Sequence, residues 1–232
     1  MTQENIANNQ IWERNWRTKS HWGGYPNEFL VRLVASFMRS WTSPHPPRVL
    51  ELGCGSGSNL WFMAREKIEI YGIDGSESAI DLAQKRLDRE APAWQGKLSV
   101  GDISQIDYPN NTFDLVIDVE AICCNSREIA KAIHQEIYRV LKPSGQFFSV
   151  TFAEGCWGEG TGQQVGPNAW IPTEGPLATG SYTRFTDKND IKDLLLPLSL
   201  KALNLTTRTV GGLDHTIREW IIEATKQEDA NL

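Results

Sequence analysis

The stretch Val49-Leu50-Glu51-Leu52-Gly53-Cys54-Gly55-Ser56-Gly57-Ser58-Asn59-Leu60 runs from an aliphatic segment through three alternate glycines into a helical pattern. Residues 48–52 are apolar enough for a buried parallel strand, and residues 60–63 begin a helix-period repeat. Between them, Gly53, Gly55 and Gly57 let the backbone take positive φ and let a ligand lie directly on it. The N–H groups of the following helix then point outward. A dinucleotide fingerprint, Gly-x-Gly-x-x-Gly, does not fit. Counted from Gly53 its last glycine falls on Ser58, and counted from Gly55 it falls on Leu60.

Further segments follow in the same strand-then-helix rhythm. Residues 69–74 form a second short strand closing on Asp74, then Gly75 and a helix N-cap at Ser76. An acid at the end of a second strand suits a ribose diol, which needs a bidentate acceptor. Residues 98–100 run into Gly101-Asp102-Ile103, residues 112–119 give a fourth strand, and Arg139-Val140-Leu141-Lys142-Pro143-Ser144-Gly145 closes a helix before a fifth, Gln146 to Phe152. In this order, the acid-led Gly-x-Gly-x-Gly and the four later blocks resemble the class I S-adenosylmethionine-dependent methyltransferases. The resemblance implies a Rossmann-like α/β fold. Its mostly parallel sheet has seven strands, the last antiparallel between the fifth and sixth, with helices on both faces.

It also implies S-adenosylmethionine as cofactor, a cation with a free amino group and no phosphate, which gives Glu51 its reason. By this likeness Glu51, Gly53, Cys54, Gly55 and Gly57 hold the amino acid end, and Asp74, Gly75 and Ser76 the ribose side. Asp102 and Ile103 meet the adenine, while Asp118, with Val119 and Glu120 beside it on the ligand edge, lies near the methionine amino group. Ahead of the first strand, Trp12, Trp16, Trp22 and Tyr25 concentrate aromatics. The Trp-x-x-x-Trp spacing is similar to the N-terminal cover of thiopurine-type methyltransferases, so Trp16, Trp22 and Tyr25 are expected over the cofactor. A purely packing role for them stands beside that reading.

Composition narrows the classes. The chain has 232 residues and a net charge of -6 with mixed signs, which fits one domain and argues against a nucleic-acid surface. No run is long and apolar enough for a membrane span, and residues 1–10 carry no secretory pattern, so a cytoplasmic monomer or homodimer is expected. The four cysteines show neither Cys-x-x-Cys nor zinc spacing and are read as free thiols, with no metal. The expected layout is a helical cover over 1–45, a cofactor core over 46–152, a substrate lid over 153–185, and a helix with a strand hairpin over 186–232.

The lid segment is rich in glycine and proline and has too little periodicity for a regular element. It reads either as an ordered functional lid or as disorder. Leaving the C-terminal edge of a parallel strand, it starts beside the pocket, which makes Trp157, Trp170, Tyr182 and Arg184 candidate substrate contacts. His215, in the turn Gly211-Gly212-Leu213-Asp214-His215, joins them as a substrate contact and candidate general base, with His21 and Tyr25 as others; solvent exposure competes with that role. His134 reads as structural. No Pro-Pro-aromatic element follows strand four, which sets aside the DNA-adenine type. Glu120 and Glu128 sit at a helix start rather than in an arginine-methyltransferase loop, and the acids of a magnesium-dependent catechol-type enzyme are missing. The expected reaction is O- or N-methylation of a small metabolite or sugar. The alternatives are a non-catalytic cofactor-binding module, a dinucleotide oxidoreductase, or transfer to a soft acceptor such as arsenic held by Cys123, Cys124 and Cys156.

Overall fold

A computed structural model describes residues 3–18 and 24–227. The stretch read first becomes strand β1 (Arg48–Leu52), a turn, and helix α3 (Ser58–Arg65). Ahead of it lie α1 (Gln3–Thr18) and α2 (Glu28–Ser40). After it come β2 (Glu69–Asp74), α4 (Glu77–Glu90), β3 (Gln95–Val100), β4 (Phe113–Val119), α5 (Arg127–Val140) and β5 (Leu141–Phe152). Three short strands, β6 (Gln163–Gly166), β7 (Ala169–Ile171) and β8 (Thr183–Arg184), precede α6 (Lys188–Leu195) and the hairpin of β9 (Ser199–Val210) and β10 (His215–Thr225).

The main sheet has the order β3-β2-β1-β4-β5-β10-β9. Its first five strands pair in parallel, and β10 runs antiparallel to both neighbours, as the family resemblance implied. Side chains alternate between the two faces along each strand. Leu50, Leu52, Phe147, Trp220 and Ile222 pack with α5 and α6 on one side. Val49, Phe148, Val150 and Ile221 pack with α2, α3 and α4 on the other. The helices are cut to fit: α2 buries Leu30, Val34 and Phe37, one face at helical spacing, and starts where the Asn27 side chain accepts from the Phe29 and Leu30 N–H groups. His134 is buried against Phe147, and its Nδ1 pairs with the Ala130 carbonyl oxygen at 2.7 Å. Burial lowers its pKa to about 4, so it is a neutral core residue.

The segment 153–185 departs from the expectation of no regular structure. β6, β7 and β8 form a separate antiparallel sheet, and Ala153 bridges Thr186. Beneath it lies a third apolar cluster: Cys123, Cys124, Phe152, Cys156, Leu177, Phe185 and Ile217, flanked by Trp12, Trp157 and Trp170. Burying that much apolar surface supplies the stabilisation that a bare loop lacks.

Candidate active site

The C-terminal ends of β1 to β4 open into a cavity of about 320 Å³, roofed by α1 and closed at one end by residues 176–177. Its position follows from topology. The strand order reverses beside β1, and a ligand crevice forms where neighbouring crossovers depart to opposite faces.

At the floor the three glycines all take positive φ. A side chain at Gly53 would overlap the Ala121 methyl, and a Cβ at Gly55 would come within 2.7 Å of the Trp16 ring. The turn therefore needs glycine both for its conformation and for the closeness of its neighbours. Asp74 holds it: Oδ2 accepts from the Gly55 N–H and Oδ1 from the Ser76 N–H, each at 2.9 Å. Burial raises the Asp74 pKa to about 6 against those bonds. Glu51 is 2% exposed; its Oε1 accepts from Asn59 Nδ2 at 2.6 Å, and its Oε2 is buried without a hydrogen-bond partner. Burial drives its pKa up to about 8. Asn59 in turn accepts from the Asn27 N–H at 2.9 Å, so the start of α2 fixes the amide that orients Glu51.

The roof is fastened by Asn8 Nδ2, which donates to the Cys124 carbonyl oxygen at 2.8 Å, by Asn15 Nδ2, which donates to the Thr179 carbonyl oxygen at 3.2 Å, and by a carboxylate. Glu13 of α1 accepts from the Ser76 hydroxyl (2.7 Å), the Ser78 hydroxyl (2.6 Å) and the Ser78 N–H (3.0 Å), which together pull its pKa down to about 2. A carboxylate from another helix thus caps the N-terminus of α4, where negative charge is favoured. At the far end, Glu120 leaves β4 with φ of +61°. A left-handed conformation at a residue with a Cβ costs roughly 1–2 kcal/mol, a strain typical of functional sites.

The cavity brings together most, though not all, of the expected cofactor residues. Trp16, Glu51, Gly53, Cys54, Gly55, Asp74, Gly75, Asp102, Ile103, Val119 and Glu120 line it. Gly57 stands behind as the N-cap of α3, and Ser76 caps α4 with its hydroxyl. Asp118 turns inward instead: it is fully buried and accepts from the Ala121 and Ile122 N–H groups and from the Ser149 hydroxyl at 2.6 Å. Tyr25 is 85% exposed, carried to the surface by the turn before α2, while Trp22 and His21 fall outside the described residues.

The expected substrate contacts do not reach the cavity. Trp157 lies flat on His215 at 4.0 Å, and its indole N–H donates to Glu174, so the two rings satisfy each other beside the lid. Trp170 packs edge-on to Phe185 in the apolar cluster. Tyr182 is half-buried near Gly166. Arg184, 3% exposed, donates to the Asn125 carbonyl oxygen at 2.7 Å and fixes the lid to the turn after β4. The lid reaches the cavity through Pro176 and Leu177, and α1 through Asn8, Asn9 and Trp12. Of these only Trp12 was marked by the sequence, as part of the aromatic concentration.

Electrostatically the wall is one-sided. Glu51, Asp74, Asp102 and Glu120 line it, and no Lys, Arg or His does so among the described residues. Such a wall disfavours ligands of net negative charge, such as phosphates, and favours one of net positive charge. Two of the thiols are quiet: the hydrogen bond with Cys124, together with burial, holds Cys123 well above its ordinary pKa, and burial holds Cys156 up at about 11, so neither offers the thiolate that a soft metal needs. Among the described residues no cluster of His, Cys, Asp and Glu fits a metal ion.

Comparison with known proteins agrees with this geometry. Residues 49–145 match the family profile described as a methyltransferase domain. A sterol 24-C-methyltransferase of Neurospora crassa is 35% identical over 101 residues, covering 43% of this chain and 26% of the relative. A cypemycin N-terminal methyltransferase of Streptomyces is 32% identical over 120 residues, covering 47% and 45%. The chain thus spans less than half the length of these curated relatives. In fold, it resembles the 1,6-didemethyltoxoflavin-N1-methyltransferase of Burkholderia thailandensis, solved with its substrate and S-adenosylhomocysteine. That match has a TM-score of 0.69 at 14% identity and covers 98% of this chain and 92% of the other. Motif, sheet order and profile coincide: residues 49–145 match a methyltransferase domain, set in the strand order that the resemblance to the class I S-adenosylmethionine-dependent methyltransferases implied.

Proposed function

We propose that the protein transfers a methyl group from S-adenosylmethionine to a small-molecule acceptor. The observation that carries this reading is the unpartnered Oε2 of buried Glu51, set in a cavity wall that has acids and, among the described residues, no bases. An orphaned buried acceptor is costly, and a ligand ammonium relieves that cost. In this reading Glu51 and the Gly53–Gly55 turn hold the amino acid end, Asp74 the ribose, and Asp102 with Ile103 the adenine. Trp16 closes over the glycine turn, within contact of Gly55.

When bound, S-adenosylmethionine supplies a methyl group already activated by its sulfonium. The chain's own residues then have to align the reactants and keep water out. Asn59 fixes the rotamer of Glu51, Glu13 pins the roof, and Leu177 with Trp12 presents a dry wall on the acceptor side. The relatives' names cover acceptors as different as a sterol and the cypemycin N-terminus, so they leave the acceptor of this chain to its own cavity.

The test is thermal unfolding with S-adenosylhomocysteine against NAD. At about 100 times Kd, S-adenosylhomocysteine stabilises by about 2.7 kcal/mol, which raises Tm by about 5–10 °C in a chain of this size. NAD leaves it unchanged. A rise with NAD alone contradicts the proposal.

A further inference from the structure

Asn8 lines the cavity from the roof, and its amide is only half used. Nδ2 donates to the Cys124 carbonyl oxygen at 2.8 Å, which fixes the way the amide points, since only the nitrogen end can donate. Oδ1 is buried and has no hydrogen-bond partner. Among the described residues two such orphaned acceptors belong to the cavity, Glu51 Oε2 on the floor and Asn8 Oδ1 on the roof. A buried acceptor left unpaired costs free energy, so a ligand that brings a hydrogen to each is favoured at both. The neighbours of Asn8 say which part of a ligand it meets. Asn9 lies against Gly75, where a Cβ would come within 2.5 Å of Asn9 Oδ1, while Asn8 reaches the turn after β4. This part of α1 therefore spans from the loop after β2 to the turn after β4, across the end of β1, which lies between them in the sheet. Asp74, one residue before Gly75, lies under the same span. Each of its oxygens already accepts one backbone N–H, from Gly55 or Ser76, and a ribose diol has two hydrogens to place. Of the side chains described on α1 only Asn15 is buried, whereas α2 buries Leu30, Val34 and Phe37, so the roof depends on polar contacts more than on apolar packing.

We propose that Asn8 Oδ1 accepts one hydroxyl hydrogen of the donor's ribose, dividing the diol with Asp74, so that the bound donor is itself one of the ties that hold α1 shut. The inference rests on the methyltransferase reading of the cavity, and it adds a roof residue to those that hold S-adenosylmethionine. A ligand that bonds to the closed roof and not to the open one shifts the helix toward closure by that difference. The roof thus recognises the diol from above while the floor recognises it from below.

The full-length chain is titrated by calorimetry with S-adenosylhomocysteine and with its 2′-deoxy and 3′-deoxy analogues, each lacking one hydroxyl. Wild type is compared with Asn8→Leu and Asn8→Ala. In wild type each deletion weakens binding by about tenfold. Both variants weaken S-adenosylhomocysteine by about tenfold. In them one of the two deletions then costs less than about twofold, while the other keeps its full cost, because only the hydroxyl held by Asp74 still has its partner. Amide hydrogen exchange gives a second readout: S-adenosylhomocysteine slows exchange over residues 8–18 about tenfold more in wild type than in the variants. Loss of the Cys124 contact alone would weaken all three ligands by one common factor. Both deletions keeping their full cost in the variants therefore overturns the inference, as does unchanged affinity for S-adenosylhomocysteine, or a wild type indifferent to the loss of either hydroxyl. Failure of S-adenosylhomocysteine itself to bind wild type removes the methyltransferase reading first, and the inference with it.

Discussion

Glu51 concentrates the chemistry of the site in one side chain. One carboxylate oxygen is spoken for by Asn59 and the other by nothing, in a position where burial holds the proton on until about pH 8. Glu51→Gln mimics the protonated form, so the ligand-free fold should survive. Affinity for S-adenosylmethionine should fall by about 10- to 100-fold, because a hydrogen bond to a charged partner is lost; calorimetric titration of the variant checks this. Asp74 behaves differently, because it also ties down the turn. Removing its carboxylate frees the buried Gly55 and Ser76 N–H groups, so Asp74→Ala should cost about 1–3 kcal/mol of stability besides weakening the cofactor, read from denaturant unfolding. Glu51 and Asp74 were legible in the sequence because Glu51 is the acid that leads the glycine turn and Asp74 closes the second apolar strand. Their hydrogen-bond partners were not, since Asn59 and Ser76 look like ordinary helix-start residues until the fold sets them beside the acids.

Among the elements, α1 is held over the cavity by Glu13 together with Asn8 and Asn15. Glu13→Gln should loosen the roof and weaken the α4 cap, lowering stability by about 0.5–2 kcal/mol, with the thermal midpoint as the readout. Because the folded pKa of Glu13 is depressed to about 2, its contribution is present above its ordinary value of 4.5 and fades as pH falls toward 2. The periodic elements were readable from residue order alone: β1, β2 and β4 are short apolar runs, and α2, α4 and α5 repeat at helical spacing. The lid was not, for a physical reason. Its strands have four, three and two residues, too few for an alternation of period two to declare itself. Its prominent Trp157, Trp170 and Arg184 drew notice as substrate contacts because large side chains look functional in a loop. They prove to be the lid's own core and anchor, while small Pro176 and Leu177 meet the cavity.

Over the whole molecule, the buried acids set how stability responds to pH. Glu51 near 8 and Asp74 and Asp118 near 6 all have folded pKa values above their ordinary ones. Such groups stabilise the fold fully below pH 4 and lose that contribution as pH rises through the folded value. His134, depressed to about 4, acts oppositely, costing stability as pH falls below 6.5. Above pH 6.5 the histidine and the two aspartates are largely titrated, which leaves Glu51 and Glu120, whose pKa burial raises well above its ordinary value. Tm of the ligand-free protein should therefore fall between pH 6.5 and 8, by about 4–8 °C if Glu51 alone contributes roughly 2 kcal/mol. The fall should shrink in Glu51→Gln and with saturating S-adenosylhomocysteine, whose ammonium gives the carboxylate a partner.

The same proton gives the most direct measurement. S-adenosylmethionine is titrated into the protein at pH 7 in two buffers of different ionisation enthalpy. A cation-holding Glu51 predicts one site per chain and release of close to one proton on binding, with the release abolished in Glu51→Gln. A titration that gives no heat in either buffer, on well-folded protein, contradicts it.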